Sequence, residues 1–236
     1  MRKFVLVALL LAVVPAQAGT ILWNQGAFAS GSVAIVDQEF GDIPAFSTYI
    51  VNDVAVPGGG WVINSVTSYF VAGWNWTYSG TTIPVRLHIF PQSGVLPLAT
   101  DIVPDLNPPN PYTASYSVSG GDVTLTVSGL AISLAPGSYW IGITPIANMN
   151  PYGQIFYYST TNPWGDPSAL RNPGGVFGLA SGVNWGGAKA NIDLWPGPDG
   201  TLVIEGTTGI PEPSTMILLG LGLLALPLLR PRKQSL

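Results

Sequence analysis

Glycine and proline interrupt the sequence between Gly19 and Gly209 at short intervals, and no stretch there keeps a 3.6-residue apolar period over three turns. Amphipathic helices need that period, and interior glycine and proline destabilise them. Short strands joined by turns are the remaining way to satisfy the hydrogen-bonding groups of the backbone. The sequence therefore predicts an all-β fold for this region.

Alternating apolar and polar residues locate the strands. The clearest strand covers residues 84–90, with one apolar face and an opposite face that carries His88. A hairpin is predicted from residues 112–118 and 123–127, with its turn at residues 119–122. Five further segments have strand character: residues 61–71, 139–144, 154–159, 188–194 and 201–205. At least eight strands predict a two-sheet sandwich, with a jelly roll as the favoured arrangement.

Two stretches lack this alternation. Residues 104–111 include four prolines, and residues 162–187 are rich in glycine, asparagine, proline and tryptophan. Proline cannot donate to a strand ladder, so we expect both stretches to be long surface loops.

The first 18 residues have the three parts of a secretory signal peptide. Residues 1–3 include two cationic side chains, residues 4–14 are apolar, and Ala16 and Ala18 form a small-x-small cleavage site. We expect signal peptidase to remove residues 1–18. The mature chain would then begin at Gly19 and be exported.

The last 27 residues also have three parts. They begin with an irregular hinge, because the two prolines around one acid disfavour a helix: Pro211, Glu212 and Pro213. An apolar run from Met216 to Leu229 can enter a bilayer. A basic cluster follows and would stay on the cytoplasmic side: Arg230, Arg232 and Lys233.

This order resembles the PEP-CTERM sorting signal of exported proteins in many Gram-negative, biofilm-forming bacteria. The resemblance rests on the hinge, on the Leu/Gly-rich residues 218–224 and on the basic cluster, although Pro227 and Pro231 interrupt the last two parts. It implies transient inner-membrane insertion and cleavage near the hinge by an exosortase, a membrane-embedded cysteine transpeptidase-like enzyme. The product would then reach the cell surface or the extracellular matrix.

A permanent membrane anchor is the alternative interpretation of the tail. The 14 apolar residues from Met216 to Leu229 would span about 21 Å as a helix, at about 1.5 Å per residue. The hydrocarbon core of a bilayer is roughly 30 Å thick. A permanent anchor is usually longer and has no need of a Pro-Glu-Pro hinge, so the sorting signal is favoured.

The middle region also resembles the jelly-roll ectodomains that proteins with such tails often carry. The resemblance rests on residues 54–63, on residues 134–141 and on residues 191–194 together with 204–206. It implies a fold and no particular activity.

Charge narrows the partners of the middle region. Three basic and eleven acidic residues lie between Gly19 and Gly209, which gives a formal charge of −8. Nucleic acids and anionic lipid surfaces both require basic residues, so neither is an expected partner. The chain has no cysteine, which excludes thiolate metal sites and cysteine nucleophiles.

Candidate catalytic residues are few. We interpret the single histidine, His88, as a surface or second-layer residue of its strand, and no Gly-x-Ser-x-Gly motif is present. Glycoside hydrolysis needs only two carboxylates, for which Asp37, Glu39 and Glu205 are candidates. Asp37 and Glu39 precede a turn, where we expect them to be solvated. The sequence therefore predicts no catalytic residues and no enzyme.

Calcium is the metal that oxygen donors in loops could bind. The candidate donors are Asn52, Asp53, Asp193 and Asp199, but no EF-hand loop is present. We interpret these residues as solvated turn residues. The prediction is therefore no cofactor and no metal site, with a structural Ca²⁺ as the alternative.

Four tryptophans in segments with turn character are candidate carbohydrate contacts: Trp74, Trp76, Trp164 and Trp185. A flat indole can stack on a sugar ring while neighbouring polar residues supply hydrogen bonds. The favoured alternative is that these rings close the open ends of the sandwich.

These observations divide the chain into a signal peptide (residues 1–18), a β-sandwich ectodomain (19–209) and a sorting signal (210–236). The leading hypothesis is a non-enzymatic surface or extracellular-matrix protein associated with biofilm or exopolysaccharide. The alternative is a carbohydrate-binding module that recognises exopolysaccharide. A glycosidase or polysaccharide lyase is less favoured.

Overall fold

The computed structural model describes residues 19–98, 112–176, 185–187 and 199–208. The predicted signal peptide, the proline-rich residues 104–111, the predicted strand 188–194 and the sorting signal lie outside these ranges. The described part is mostly β, which confirms the all-β prediction. Its strands are β1 Thr20–Asn24, β2 Phe28–Val36, β3 Tyr49–Val56, β4 Trp61–Ala72, β5 Thr82–Ser93, β6 Leu96–Pro97, β7 Tyr112–Ser119, β8 Asp122–Leu134, β9 Gly137–Pro145, β10 Ile155–Thr160, β11 Ala169–Arg171, β12 Gly186–Gly187 and β13 Val203–Thr208.

The strands pair in the order β1-β13-β4-β8-β7-β5-β9-β3-β11-β12, while β10 joins β4 to β2 and β6 pairs with β5. Strand β7 pairs with β5 through residues 112–115 and with β8 through residues 115–119, so it connects two halves of the sheet. Apolar side chains of β4 and β8 share one core cluster with those of β3, β5 and β9. This arrangement fits a two-sheet sandwich, and the jelly roll stays a prediction.

Two local predictions are confirmed. On β5, Val85, Leu87 and Ile89 are fully buried in the core. The β7–β8 hairpin turns at Gly120 and Gly121, whose φ angles are 62° and 94°. Two consecutive positive φ angles favour glycine, which explains why this turn was readable from the sequence.

The opposite face of β5 is covered by a second layer. His88 and Phe90 are fully buried there, and Phe90 packs with Trp140 and Trp185. The covering comes from β11, which pairs with β3, and from Trp185 and β12, which pairs with β11. These residues belong to the stretch 162–187 that was predicted to be a surface loop. The prediction of a surface loop was therefore wrong for β11 and Trp185, and His88 is a second-layer residue.

Both ends of the described domain lie at the same sheet edge. Thr20 of β1 pairs with Gly206 of β13, and β13 ends at Thr208. Along the chain, the predicted signal-peptide cleavage site therefore adjoins β1, and the sorting motif, which begins at residue 209, adjoins the neighbouring strand β13. Within the described residues, no helix has the length and apolar character needed to cross a membrane.

Candidate functional site: an aromatic cleft beside the first strand

A cleft of about 190 Å³ opens beside β1. One wall comes from the end of β1 and the residue after it, and the other comes from the segment that follows β10. We call it the Trp23–Trp164 cleft, and its lining residues are Leu22, Trp23, Asn24, Gln25, Asn162, Pro163 and Trp164.

A β-bulge shapes the β1 wall. In the pairing with β13, Ile21 lies opposite Glu205 and Trp23 lies opposite Ile204, so Leu22 is an extra residue. Successive strand residues normally point to opposite faces, but a bulge re-aims them. Leu22 and Trp23 accordingly both pack against the core.

The two indoles form perpendicular walls. Their ring centroids lie 4.8 Å apart and their planes meet at 86°. Trp23 is fixed from behind, because its Nε1 donates to Gln25 Oε1 at 2.9 Å and its ring contacts Trp61. Trp164 keeps 46% of its surface exposed. One indole is therefore anchored and the other is available to a ligand.

Two exposed asparagines lie at the rim of the cleft. Asn162 Nδ2 donates to the backbone oxygen of Asn24 at 3.1 Å, and the backbone N–H of Gly26 donates to Asn24 Oδ1 at 3.0 Å. These bonds orient both amide groups. Among the described residues, Asn24 Nδ2 and Asn162 Oδ1 have no hydrogen-bond partner, so both can face a ligand.

A buried carboxylate ties the two walls together. Asp199 is 1% exposed, and its Oδ2 accepts hydrogen bonds from Gln25 Nε2 at 3.2 Å and from the backbone N–H of Trp164 at 2.7 Å. Burial raises the pKa of the Asp199 carboxyl to about 6. Asp199 therefore links the segment that carries Trp164 to Gln25 on the opposite wall.

Asp53 of β3 anchors the same segment two residues further along. The backbone N–H of Asp166 donates to Asp53 Oδ2 at 2.8 Å. Gly165, which lies between Trp164 and Asp166 in the sequence, has a φ of 70°. A Cβ at this position would lie only 2.0 Å from Asp53 Oδ2, so the absence of a side chain permits the close approach of the segment to Asp53. Burial, with the negative charges of Asp199 and Asp166 adding to it, raises the pKa of the Asp53 carboxyl to about 7.

The comparison with protein families concerns the other end of the chain. The PEP-CTERM protein-sorting motif matches residues 209–233. The match covers 25 of the 236 residues, so the chain carries a PEP-CTERM sorting motif at its C-terminal end. The motif implies export, transient membrane anchoring and processing by an exosortase-type enzyme. No curated protein and no solved structure matches the chain.

The calcium candidates that the structure describes are buried residues of the domain. Asn52 and Asp53 belong to β3, which is buried on both faces between β9 and β11, and Asp199 is buried as well. Asn52 Oδ1 accepts the backbone N–H of Gly200 at 3.0 Å. The interpretation of these three as solvated turn residues was therefore wrong, and Asp193 lies outside the described residues. No group of three or more acidic or histidine side chains in the described ranges is arranged to hold a metal ion.

The candidate carboxylates of a glycosidase are engaged elsewhere. Asp37 is fully buried and accepts the Thr144 hydroxyl at 2.6 Å, so its predicted solvation was wrong, and burial raises its pKa well above the ordinary value. Glu39 accepts two hydrogen bonds from Arg86, from Nε and from Nη2, both at 2.8 Å. Glu205 Oε2 accepts the hydroxyl of Ser65 at 2.9 Å. None of the three lines the Trp23–Trp164 cleft.

The four tryptophans singled out from the sequence lie in separate places. Trp74 is 71% exposed on a turn, whereas Trp76 packs against the core and donates from Nε1 to the Tyr116 hydroxyl at 2.7 Å. Trp185 is buried, so it cannot stack on a carbohydrate. Among these four, Trp164 alone lines the cleft.

Trp23 is the residue that the sequence analysis missed. Its signal was the Trp-Asn-Gln-Gly run at residues 23–26, which has the turn character of the segments that were singled out. What the run does not reveal is the contact with Trp164, which lies 141 positions later in the sequence.

Proposed function

We propose that the protein is a non-enzymatic component of the cell surface or extracellular matrix of a Gram-negative, biofilm-forming bacterium. The β-sandwich is the delivered part, and the tail directs delivery. One observation carries the proposal: β13 ends at Thr208, and the PEP-CTERM motif begins at the next residue. The last strand of the domain therefore leads directly into the sorting motif.

The engagement of the carboxylates supports a non-enzymatic role. Glu39 is neutralised by the forked contact with Arg86, which fixes it as an ion-pair partner. Asp37 is shielded from solvent by its burial. The lining of the Trp23–Trp164 cleft includes no carboxylate among the described residues, so the acid and base of a glycosidase have no place there.

Deletion of residues 210–236 tests delivery. We expect the truncated protein to be released freely instead of passing through a membrane-associated precursor, as measured by fractionation and immunoblotting. The matched control replaces Pro211, Glu212 and Pro213 by alanine and keeps the apolar run. It should accumulate as an uncut membrane-bound precursor. An unchanged distribution for both variants would contradict the sorting role of the tail.

Mass spectrometry of the mature protein identifies both termini after processing and any group attached to them. We expect an N-terminus at Gly19 after signal peptidase cleavage and a C-terminus near Pro211–Pro213, with the mass of any added group visible as an excess. An intact C-terminus at Leu236 on the exported protein would contradict exosortase processing.

A carbohydrate-binding module that recognises exopolysaccharide is the second candidate function. The Trp23–Trp164 cleft favours it, because an exposed indole stands beside two asparagine side chains with unused hydrogen-bonding atoms. A glycan array probed with the exported protein tests this candidate. Binding to defined glycans would support it, and a clean array from folded protein would contradict it.

A further inference from the structure

We infer that the Trp23–Trp164 cleft binds one uncharged pyranose ring of a polysaccharide. The inference rests on the carbohydrate-binding candidate above, and it adds the site, the size and the charge of the ligand.

The volume limits the ligand to a small group. About 190 Å³ is below the roughly 300–1,000 Å³ of pockets that enclose drug-sized molecules. The cleft is also open to solvent on one side, since Asn24, Asn162, Pro163 and Trp164 are all exposed. A single ring of a longer chain can therefore enter while its neighbours remain outside.

The aromatic walls suit a ring with apolar faces and a polar edge. A pyranose has C–H groups on its faces, which can lie against an indole, and hydroxyls around its edge. Trp164 offers exposed indole surface, and the perpendicular Trp23 limits how far a ring can slide along it. Indole is the side chain that combines a large apolar face with limited conformational freedom.

The rim supplies both kinds of hydrogen-bonding group. Asn24 Nδ2 is a donor and Asn162 Oδ1 is an acceptor, and sugar hydroxyls can both accept and donate. The remaining atoms of these two amides are held by the backbone of Gly26 and of Asn24, as described above. The orientation of the rim is thus set before a ligand arrives, which lowers the entropic cost of binding.

Charge selects a neutral sugar over an acidic one. The seven lining residues are all uncharged. The ionisable group bonded directly behind them is Asp199, which becomes negative as the pH rises above about 6. The region from Gly19 to Gly209 has a formal charge of −8. A uronate or sulfate would therefore meet no compensating cation from the lining and a repulsive field from the domain.

Calorimetric titration of the purified, exported protein tests the inference. The ligands are neutral gluco-, galacto- and manno-oligosaccharides, with oligogalacturonate as the acidic comparison. Trp164→Ala should weaken neutral-sugar binding by about tenfold or more, the factor that corresponds to loss of one stacking contact. Asn162→Ala should weaken it less. The matched control is Trp74→Ala, which removes a more exposed indole outside the cleft and should leave the affinity unchanged.

The outcomes separate this inference from the functions on which it depends. Loss of binding in Trp164→Ala but not in Trp74→Ala supports the cleft. Equal binding by wild type and Trp164→Ala overturns the assignment of the binding site to the cleft, and it places carbohydrate binding at another surface of the protein. Tighter binding of oligogalacturonate overturns the charge argument. Absence of binding by the folded wild type overturns the inference, while delivery is measured separately by fractionation.

Discussion

Trp164 and Trp185 lie in the same Gly-, Asn- and Pro-rich segment, each followed directly by a glycine, yet the domain places them differently. Trp164 is 46% exposed and lines a cleft, whereas Trp185 is 6% exposed. Trp185 packs edge-on against Phe90 at 5.2 Å between ring centroids and beside the buried His88. The ring of Trp164 packs against Trp23 at the end of the edge strand β1.

The difference shows that local sequence does not determine whether a tryptophan of this segment is buried or exposed. The outward face of β5 is apolar enough, at Phe90, to need a cover, and Trp185 supplies it. Strand β1 has no further strand beyond it in the sheet order of the described residues. A ring that packs there stays partly open to solvent.

The largest expected effect is on stability at Trp185. Trp185→Ala should lower the free energy of unfolding by about 3–5 kcal/mol, because it removes a large buried ring. Trp164→Ala should lower it by less than about 1 kcal/mol, since half-exposed side chains contribute little. Chemical denaturation of both variants measures the contrast. Equal losses would mean that the two tryptophans are not packed differently.

A smaller effect is expected at Arg171, which belongs to the layer around Trp185. Its guanidinium carbon lies 4.9 Å from the centroid of the Tyr49 ring and 5.1 Å from that of Trp185, and the residue is 5% exposed. Arg171→Ala should cost about 2 kcal/mol, the scale of a desolvated cation–π contact.

Arg171→Lys is the matched control, because it keeps the charge and loses the planar group that lies over both rings. We expect its stability to fall between those of wild type and Arg171→Ala in denaturation curves. A wild-type stability for Arg171→Ala would show that the guanidinium does not support the second layer.

A pH-dependent effect is expected at the anchors of the Trp164 segment. Folded Asp53 and Asp199 hold their protons up to about pH 7 and about pH 6, whereas an unfolded aspartate releases its proton near pH 4. The folded state thus binds more protons between these values, so the free energy of unfolding should fall as the pH rises from about 4 to about 7.

Asp53→Asn should make this pH dependence shallower while it keeps an oxygen for the Asp166 N–H. Asp42→Asn is the control, because hydrogen bonds from the backbone N–H groups of Asn150 and Met149 lower the pKa of the exposed Asp42 carboxyl. Asp42 is therefore ionised in both states over most of this range, so its replacement should not make the fall of stability toward pH 7 shallower. Thermal denaturation at a series of pH values measures both. A slope that Asp53→Asn does not alter would contradict the role of burial at this carboxyl.

Features encoded within a few residues were predictable. The core face of β5 follows from alternation at Val85, Leu87 and Ile89, and the hairpin turn follows from Gly120 and Gly121. The sorting signal was predictable because it is defined by the order of three short segments, the hinge, the apolar run and the basic cluster. None of these features needs a partner from a distant part of the chain.

Strand β3 shows why other features were not predictable. Its sequence, Tyr-Ile-Val-Asn-Asp-Val-Ala-Val, lacks alternation because nearly every side chain is buried, including Asn52 and Asp53. Such polar residues indicate a turn when they are considered alone. They become interior residues only when β9 and β11 pair on either side and other segments supply hydrogen bonds to them.

The sequence by itself determined the class of fold and the C-terminal sorting motif, because these depend on local periodicity and on the order of short segments. The N-terminal signal peptide stays a prediction. Tertiary structure alone decided that Trp23 and Trp164 meet, that Asp199 joins their two walls and that Trp185 lies inside. The physical reason is distance along the chain. Strand pairing and burial between segments that are far apart in the sequence create environments that neither segment encodes separately.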